Sequence, residues 1–186
     1  IYVGPTGDLS MWGGTITNSS VTIPDGSEET PKYTTSVGIF ILRGKVSMTS
    51  GSRIENESQA GVMVCGGTFS MVGGRTVISG CGIQSGYGSY YYGGGVHVTS
   101  EKDENGNTVL GSFALSMGVY LSGQSVFTIN AGSITGCKAN QGGGVYVASV
   151  GKLAVENGQY KCITPAFTMK GGSIENCTAN NGGGVY

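Results

Sequence analysis
The chain has 186 residues, a formal net charge of −1 and only 11% charged residues, without a basic stripe, which argues against nucleic acid and anionic membrane surfaces as partners. No apolar run approaches the ~20 residues of a membrane-spanning helix. Glycine fills 36 positions and proline only 4, against a usual ~7% glycine, so this is neither collagen nor a proline-rich linker, and 38% hydrophobic residues are enough for a packed core.

In chain order, Ile1-Tyr2-Val3 reads as the tail of a strand. Leu9-Ser10-Met11 alternates apolar and polar with period two, and a glycine pair separates it from a short apolar element, Thr15-Ile16. After an insertion at residues 17–36, Gly38-Ile39-Phe40-Ile41 supplies a glycine followed by an alternating triplet. The same three elements then recur. Val46-Ser47-Met48, Ile54 and Gly61-Val62-Met63-Val64 form one copy. Phe69-Ser70-Met71, Thr76-Val77-Ile78 and Gly95-Val96-His97-Val98 form the next. Phe127-Thr128-Ile129, Ser133-Ile134 and Gly144-Val145-Tyr146-Val147 follow, then Phe167-Thr168-Met169, Ser173-Ile174 and Gly184-Val185-Tyr186. The copies start at residues 9, 46, 69, 127 and 167, which suits a unit of about 23 residues lengthened in places by loops. The insertions fall at residues 17–36, 99–117 and 151–166. Pro24-Asp25-Gly26, Glu104-Asn105-Gly106-Asn107 and Asn157-Gly158 are their turn signals.

Strands of three to five residues cannot form a conventional sheet alone. Three of them joined by Gly and Asn turns bury an apolar side by closing around their own axis. They satisfy their backbone by stacking on the next copy. The expectation is an all-β parallel β-helix of about five coils of three short strands, a single segment over residues 1–186. Stacking predicts an inward column Leu9, Val46, Phe69, Phe127, Phe167 and a second one Met11, Met48, Met71, Ile129, Met169, with Ser or Thr facing out between them. Asn140 and Asn180 are expected at equivalent left-handed turn positions. The chain opens and closes inside strand elements, so it reads as an internal fragment of a longer repeat protein, with further coils at both ends.

Gly171-Gly172-Ser173-Ile174, Gly13-Gly14-Thr15-Ile16 and Phe127-Thr128-Ile129-Asn130 carry a resemblance. They resemble the right-handed parallel β-helix repeats of bacterial cell-surface proteins, among them the polymorphic outer-membrane protein family, marked by Gly-Gly-Ala-aliphatic and Phe-x-x-Asn. Ser or Thr stands here for the Ala, and Phe167 is followed by Lys170 where the family has Asn. The resemblance covers most of the chain outside the insertions. It implies a right-handed, exported, adhesin-like or autotransporter-passenger-like protein, extracellular or on the cell surface.

His97 is the only histidine, and its column partners Phe40, Met63, Tyr146 and Tyr186 make it one member of an exterior stack rather than a ligand. Cys81, Cys137 and Cys177 recur at one corner, with Ser19 in a similar place. They read as small packed side chains, with disulfides between successive coils as the alternative. They lie on a line, whereas zinc needs four ligands converging on a point, so no metal and no cofactor are expected. Asp and Glu number 11 and lie mostly in the insertions, as Asp25, Glu28, Glu29, Glu101, Asp103 and Glu104, where charge reads as solvated loop. No catalytic residue is expected. Part of a pectate-lyase-like polysaccharide lyase or glycoside hydrolase is the alternative, with Arg43, Arg53 and Arg75 as its cations and a cluster of carboxylates beside an Arg as its signature. The triple glycines at 93, 142 and 182 lack the Lys-Ser or Lys-Thr of a phosphate loop. Asn18, Asn56 and Asn176 are sequons. The tyrosine-rich stretch Tyr87-Gly88-Ser89-Tyr90-Tyr91-Tyr92, with Tyr120, is the candidate binding surface for glycans or for host and matrix proteins. A widened corner in which these rings cover glycine backbone is the competing reading.

Overall fold
The computed structural model describes residues 1–23, 33–82, 93–99, 124–147, 152–156 and 159–186, and every regular element among them is a β-strand. The chain runs through β1 (Tyr2–Val3), β2 (Asp8–Met11), β3 (Thr15–Thr17), β4 (Val21–Ile23), β5 (Tyr33–Thr35), β6 (Val37–Leu42), β7 (Lys45–Met48) and β8 (Arg53–Glu55). It continues through β9 (Ala60–Cys65), β10 (Thr68–Met71), β11 (Val77–Ser79), β12 (Val96–Thr99), β13 (Val126–Ile129) and β14 (Ser133–Thr135). Last come β15 (Lys138–Gln141), β16 (Val145–Val147), β17 (Lys152–Glu156), β18 (Gln159–Ile163), β19 (Ala166–Met169), β20 (Ser173–Glu175) and β21 (Thr178–Asn181).

Fifteen of these strands form three five-stranded sheets, each parallel throughout. The first takes β1, β6, β9, β12 and β16, the second β2, β7, β10, β13 and β19, the third β3, β8, β11, β14 and β20. The chain visits first, second and third sheet in turn and then returns to the first. That succession fits a β-solenoid.

Register follows the sequence columns. Leu9, Val46, Phe69, Phe127 and Phe167 stand side by side across the second sheet, and so do Met11, Met48, Met71, Ile129 and Met169. The rings stack, with centroids 5.0 Å apart for Phe69 and Phe127 and 5.1 Å for Phe127 and Phe167. Ile16, Ile54, Ile78, Ile134 and Ile174 make the matching column of the third sheet. All three sheets contribute to one apolar cluster. Its period-two supply of Val, Ile, Met and Phe explains why each short strand has one buried and one outer face.

Two insertions bear antiparallel pairs on these parallel sheets: β4 with β5 inside residues 17–36, and β17 with β18 inside 151–166. The corner after the third sheet differs from expectation. Lys138–Gln141 and Thr178–Asn181, read as turns, are the parallel strands β15 and β21, and Asn180 Nδ2 donates to Asn140 Oδ1 at 2.5 Å. The left-handed corner lies four residues earlier. Asn18, Asn56 and Asn176 have φ of 50°, 57° and 53°, and Gly80 and Gly136 fill the same place at 61° and 64°. Asn and Gly alternate there because both tolerate that region, so a backbone role suffices to explain why Asn stands at the three sequons.

Candidate functional site
Tyr87, Tyr90, Tyr91, Tyr92 and Tyr120 lie outside the described residues, as does most of the 99–117 insertion; Thr99 itself closes β12. In chain order these segments flank β12. Residues 83–92 lead into β12 and residues 100–123 leave it. The β4–β5 hairpin leads into β6, and the β17–β18 hairpin follows β16.

The outer column of the first sheet is Tyr2, Phe40, Met63, His97 and Tyr146, in register. Tyr186 stacks on Tyr146 with centroids 5.8 Å apart. The column is outward with respect to the apolar cluster, as its alternation requires, and Tyr2 and Tyr186 at its ends are exposed, but most of its middle is covered. Phe40 is 0% exposed, His97 6% and Tyr146 4%. The exterior stack holds in its register but not in the exposure of these three, because period two tells which face a residue takes and not what covers that face. His97 packs edge-on against Tyr146 at 5.1 Å, and burial brings its imidazole down to about 4.

A pH dependence follows. In the unfolded chain a histidine titrates near ~6.5, so the unfolded state gains a proton as pH falls through ~6.5 while the folded state stays neutral. The stability held by neutral His97 is therefore full above ~6.5, declines between there and about 4, and is gone below it. The loss is about 3 kcal/mol in all. His97→Phe, a ring that suits this column, removes the dependence. Urea unfolding of the two proteins at pH 7 and pH 4.5 checks this: the parent loses stability relative to His97→Phe at the lower pH. Parallel pH profiles overturn the assignment.

Among the described residues the carboxylates do not gather. Glu55 pairs with Arg53 on its own strand and accepts from Ser79 Oγ. Glu175 shares the outer column of Glu55 but is separated from it by Ser79 and Thr135. Asp8 stands beside Lys45 at the opposite end of the sheet order from β19. Among the described residues no three of His, Cys, Asp and Glu converge to hold a metal ion. The acidic residues expected to be solvated, Asp25, Glu28, Glu29, Glu101, Asp103 and Glu104, lie outside the described residues.

The corner after the third sheet holds a row that sequence reading found in part. Ile16, Ile54, Ile78, Ile134 and Ile174 are each followed three residues later by Ser19, Glu57, Cys81, Cys137 and Cys177. Glu57 was missed, although the same offset from the isoleucine column marks it. It is fully buried. Its Oε2 accepts the Ser19 N–H at 2.7 Å, while Oε1 is buried without a partner. Burial raises its carboxyl above the usual range. Cys81 and Cys137 are fully buried and Cys177 half-buried, and all three are free thiols, as is Cys65. Hydrogen bonding with Cys137 draws Cys177 down to about 7 and Cys81 down as well, while Cys137 itself is raised by its bonds to Cys177 and Cys81. Desolvation alone pushes the isolated Cys65 up to about 12.

No protein-family model, no curated protein and no solved structure matches the chain. No helix among the described residues is long and apolar enough to cross a membrane.

Proposed function
We propose that the chain is a segment of a right-handed parallel β-helix of about five coils, a non-enzymatic part of an adhesin-like protein, exported and displayed at the bacterial surface. The observation that carries this reading is the threefold visit order, with every return strand parallel and in register. Such a body is stiff along its axis, because each repeat is held by its neighbours through backbone bonds and stacked side chains. Inserted segments interrupt its repeat, and loops on a rigid scaffold are the usual carriers of binding residues. Tyr87, Tyr90, Tyr91 and Tyr92 stand in the sequence between β11 and β12, and Tyr120 between β12 and β13; flat rings with a hydroxyl suit sugars and protein surfaces.

The test is binding of the purified chain to glycan and matrix-protein arrays, beside a lyase assay on polygalacturonate and related polymers with and without Ca²⁺. Saturable binding without product is expected. Changing Tyr90, Tyr91 and Tyr92 together to Ala weakens it roughly tenfold or more. Unsaturated product would sink this reading in favour of the polysaccharide lyase, whose carboxylates would then be sought in the insertions.

A further inference from the structure
We propose that Glu57 is a carboxylic acid in the folded chain and a protonation-dependent latch for the β4–β5 hairpin. The insertion at residues 17–36 leaves the stack after β3 and rejoins it at β6, and two side chains of the next copy hold its two feet. Glu57 Oε2 accepts the Ser19 N–H at 2.7 Å, and Gln59 Oε1 accepts the Ser36 N–H at 3.0 Å. Gln59 also donates its own N–H to the Ser36 carbonyl oxygen at 3.0 Å. Between these feet β4 and β5 pair antiparallel. One foot is therefore held by an amide, which does not titrate, and the other by an acid, which does.

The row in which Glu57 stands calls for a hydrogen-bond donor. Ser19 aims its hydroxyl at the Thr17 carbonyl oxygen at 3.4 Å. Cys81, Cys137 and Cys177 aim their thiols at the carbonyl oxygens of Ser79, Thr135 and Glu175, at 3.3, 3.5 and 3.3 Å. In each case the acceptor lies two residues back, and the equivalent carbonyl for Glu57 is that of Glu55. An ionised carboxylate offers acceptors only, so it would bury lone pairs against this place. The acid form offers one oxygen to the Ser19 N–H and one hydroxyl to the row. Oε1, buried and without a partner as an acceptor, is the atom that carries the proton. Full burial of the side chain favours the same neutral form.

Around the carboxyl stand Ser19 after β3, Gly38 of β6, Ile1 before β1 and Cys81 after β11. Two of these titrate. The Ile1 ammonium opposes the proton on Glu57, but its hydrogen bond goes to the Gly38 carbonyl oxygen at 2.7 Å. Cys81 is the next group in the row, and its thiol and the Glu57 carboxyl disfavour each other's ionised forms. The closed latch binds the proton more tightly than an opened one, in which Glu57 is solvated and titrates near ~4.3. Its hold on Ser19 is thus complete below ~4.3 and weakens as pH rises through the higher value of the buried group. Ionisation sends the proton to solvent and favours release of Ser19. The hold on Ser36 does not change. The direction is opposite to that of His97, whose contribution is lost as pH falls.

Amide hydrogen exchange of Ser19 and Ser36, read by NMR in the parent and in Glu57→Gln, tests the latch. Base catalysis of exchange is common to both amides and cancels in their ratio, and His97 and Cys81 are present in both proteins. In the parent the Ser19 rate should rise relative to Ser36 by about tenfold for each unit by which the Glu57 pKa is raised. In Glu57→Gln, whose side-chain amide offers the same acceptor and a donor at every pH, the ratio should stay constant. A constant ratio in the parent, or the same rise in both proteins, overturns the proposal. Should Glu57→Gln fail to fold, the side-chain carboxyl signal of Glu57 in the carbon-13 labelled parent decides. It should titrate above the other glutamates. Titration with them or below them, as an ion pair with the Ile1 ammonium would give, overturns the assignment.

Discussion
Replacing Phe127 by alanine lowers the unfolding free energy by about 3–5 kcal/mol. The ring is 0% exposed and lies between Phe69 and Phe167, stacked on both at 5.0 and 5.1 Å. Its removal forfeits the transfer of a large apolar side chain and leaves a cavity that the stack cannot close. The strands on either side are tied by parallel backbone bonds and cannot collapse inward. Each lost ring contact adds about 1 kcal/mol. In a repeat fold stability is close to a sum of neighbour terms, so a hole in the middle of the column weakens both flanking interfaces. Phe167→Ala is the comparison. Its ring stacks on Phe127 but is only half-buried, and its loss costs about half as much. Urea unfolding followed by far-ultraviolet circular dichroism measures both. Trp12, at 77% exposure, is too solvated to serve as a fluorescence reporter. Equal effects at the two positions would show that the column does not act as a buried stack.

The columns were legible because stacking demands like on like. Phe69 over Phe127 over Phe167, and Ile54 beside Ile78 and Ile134, were read from offsets alone and pair as read. Period two also gave the correct face for every one of them. What that period does not encode is coverage. His97 and Tyr146 occupy their outward places and are buried all the same. Polar composition misled at the corner. Lys138–Gln141 and Thr178–Asn181 contain no alternation of apolar residues, yet they pair as strands. There the backbone is satisfied by the neighbouring copy and the side chains by one another, Asn180 on Asn140. A strand held by stacking needs no apolar face, so periodicity cannot reveal it. Glu57 was hidden for a related reason. A carboxylate in a column of thiols breaks the likeness on which column reading depends, and only its offset from Ile54 betrays it. Composition alone singles out the candidate tyrosines, and they fall outside the described residues.

Gly95→Ala is expected to be as damaging as the loss of a core ring, although it adds a single methyl group. Its φ does not lie in the left-handed region, so the objection is one of space. An added Cβ would meet the Gly144 carbonyl oxygen at 2.5 Å and Ile134 Cγ2 at 2.5 Å. The isoleucine could rotate away. The carbonyl cannot, because it accepts the Val96 N–H at 2.9 Å in the ladder between β12 and β16. Relief requires the two strands to part, which breaks the bonds that hold one copy to the next. Gly38, Gly61 and Gly144 stand in the same column, and at each an added Cβ would meet the following glycine's carbonyl oxygen, at 2.9, 2.8 and 2.6 Å. The recurrent glycine before each triplet is thus a spacing requirement of the stack, not a signal for a turn. Overpacking of this kind costs about 3 kcal/mol or more where backbone must move. Gly74→Ala supplies the control. It is exposed, its φ is outside the left-handed region, and nothing lies within 4 Å of its added Cβ. That substitution restricts only the unfolded chain and raises stability by about 0.4–1 kcal/mol. Thermal unfolding of the two variants beside the parent should therefore shift in opposite directions. A fall of equal size in both would mean that glycine serves the unfolded chain or the turns in general. Opposite shifts would establish that strand stacking, with no room for a Cβ between copies, is what the recurring glycines in this sequence maintain.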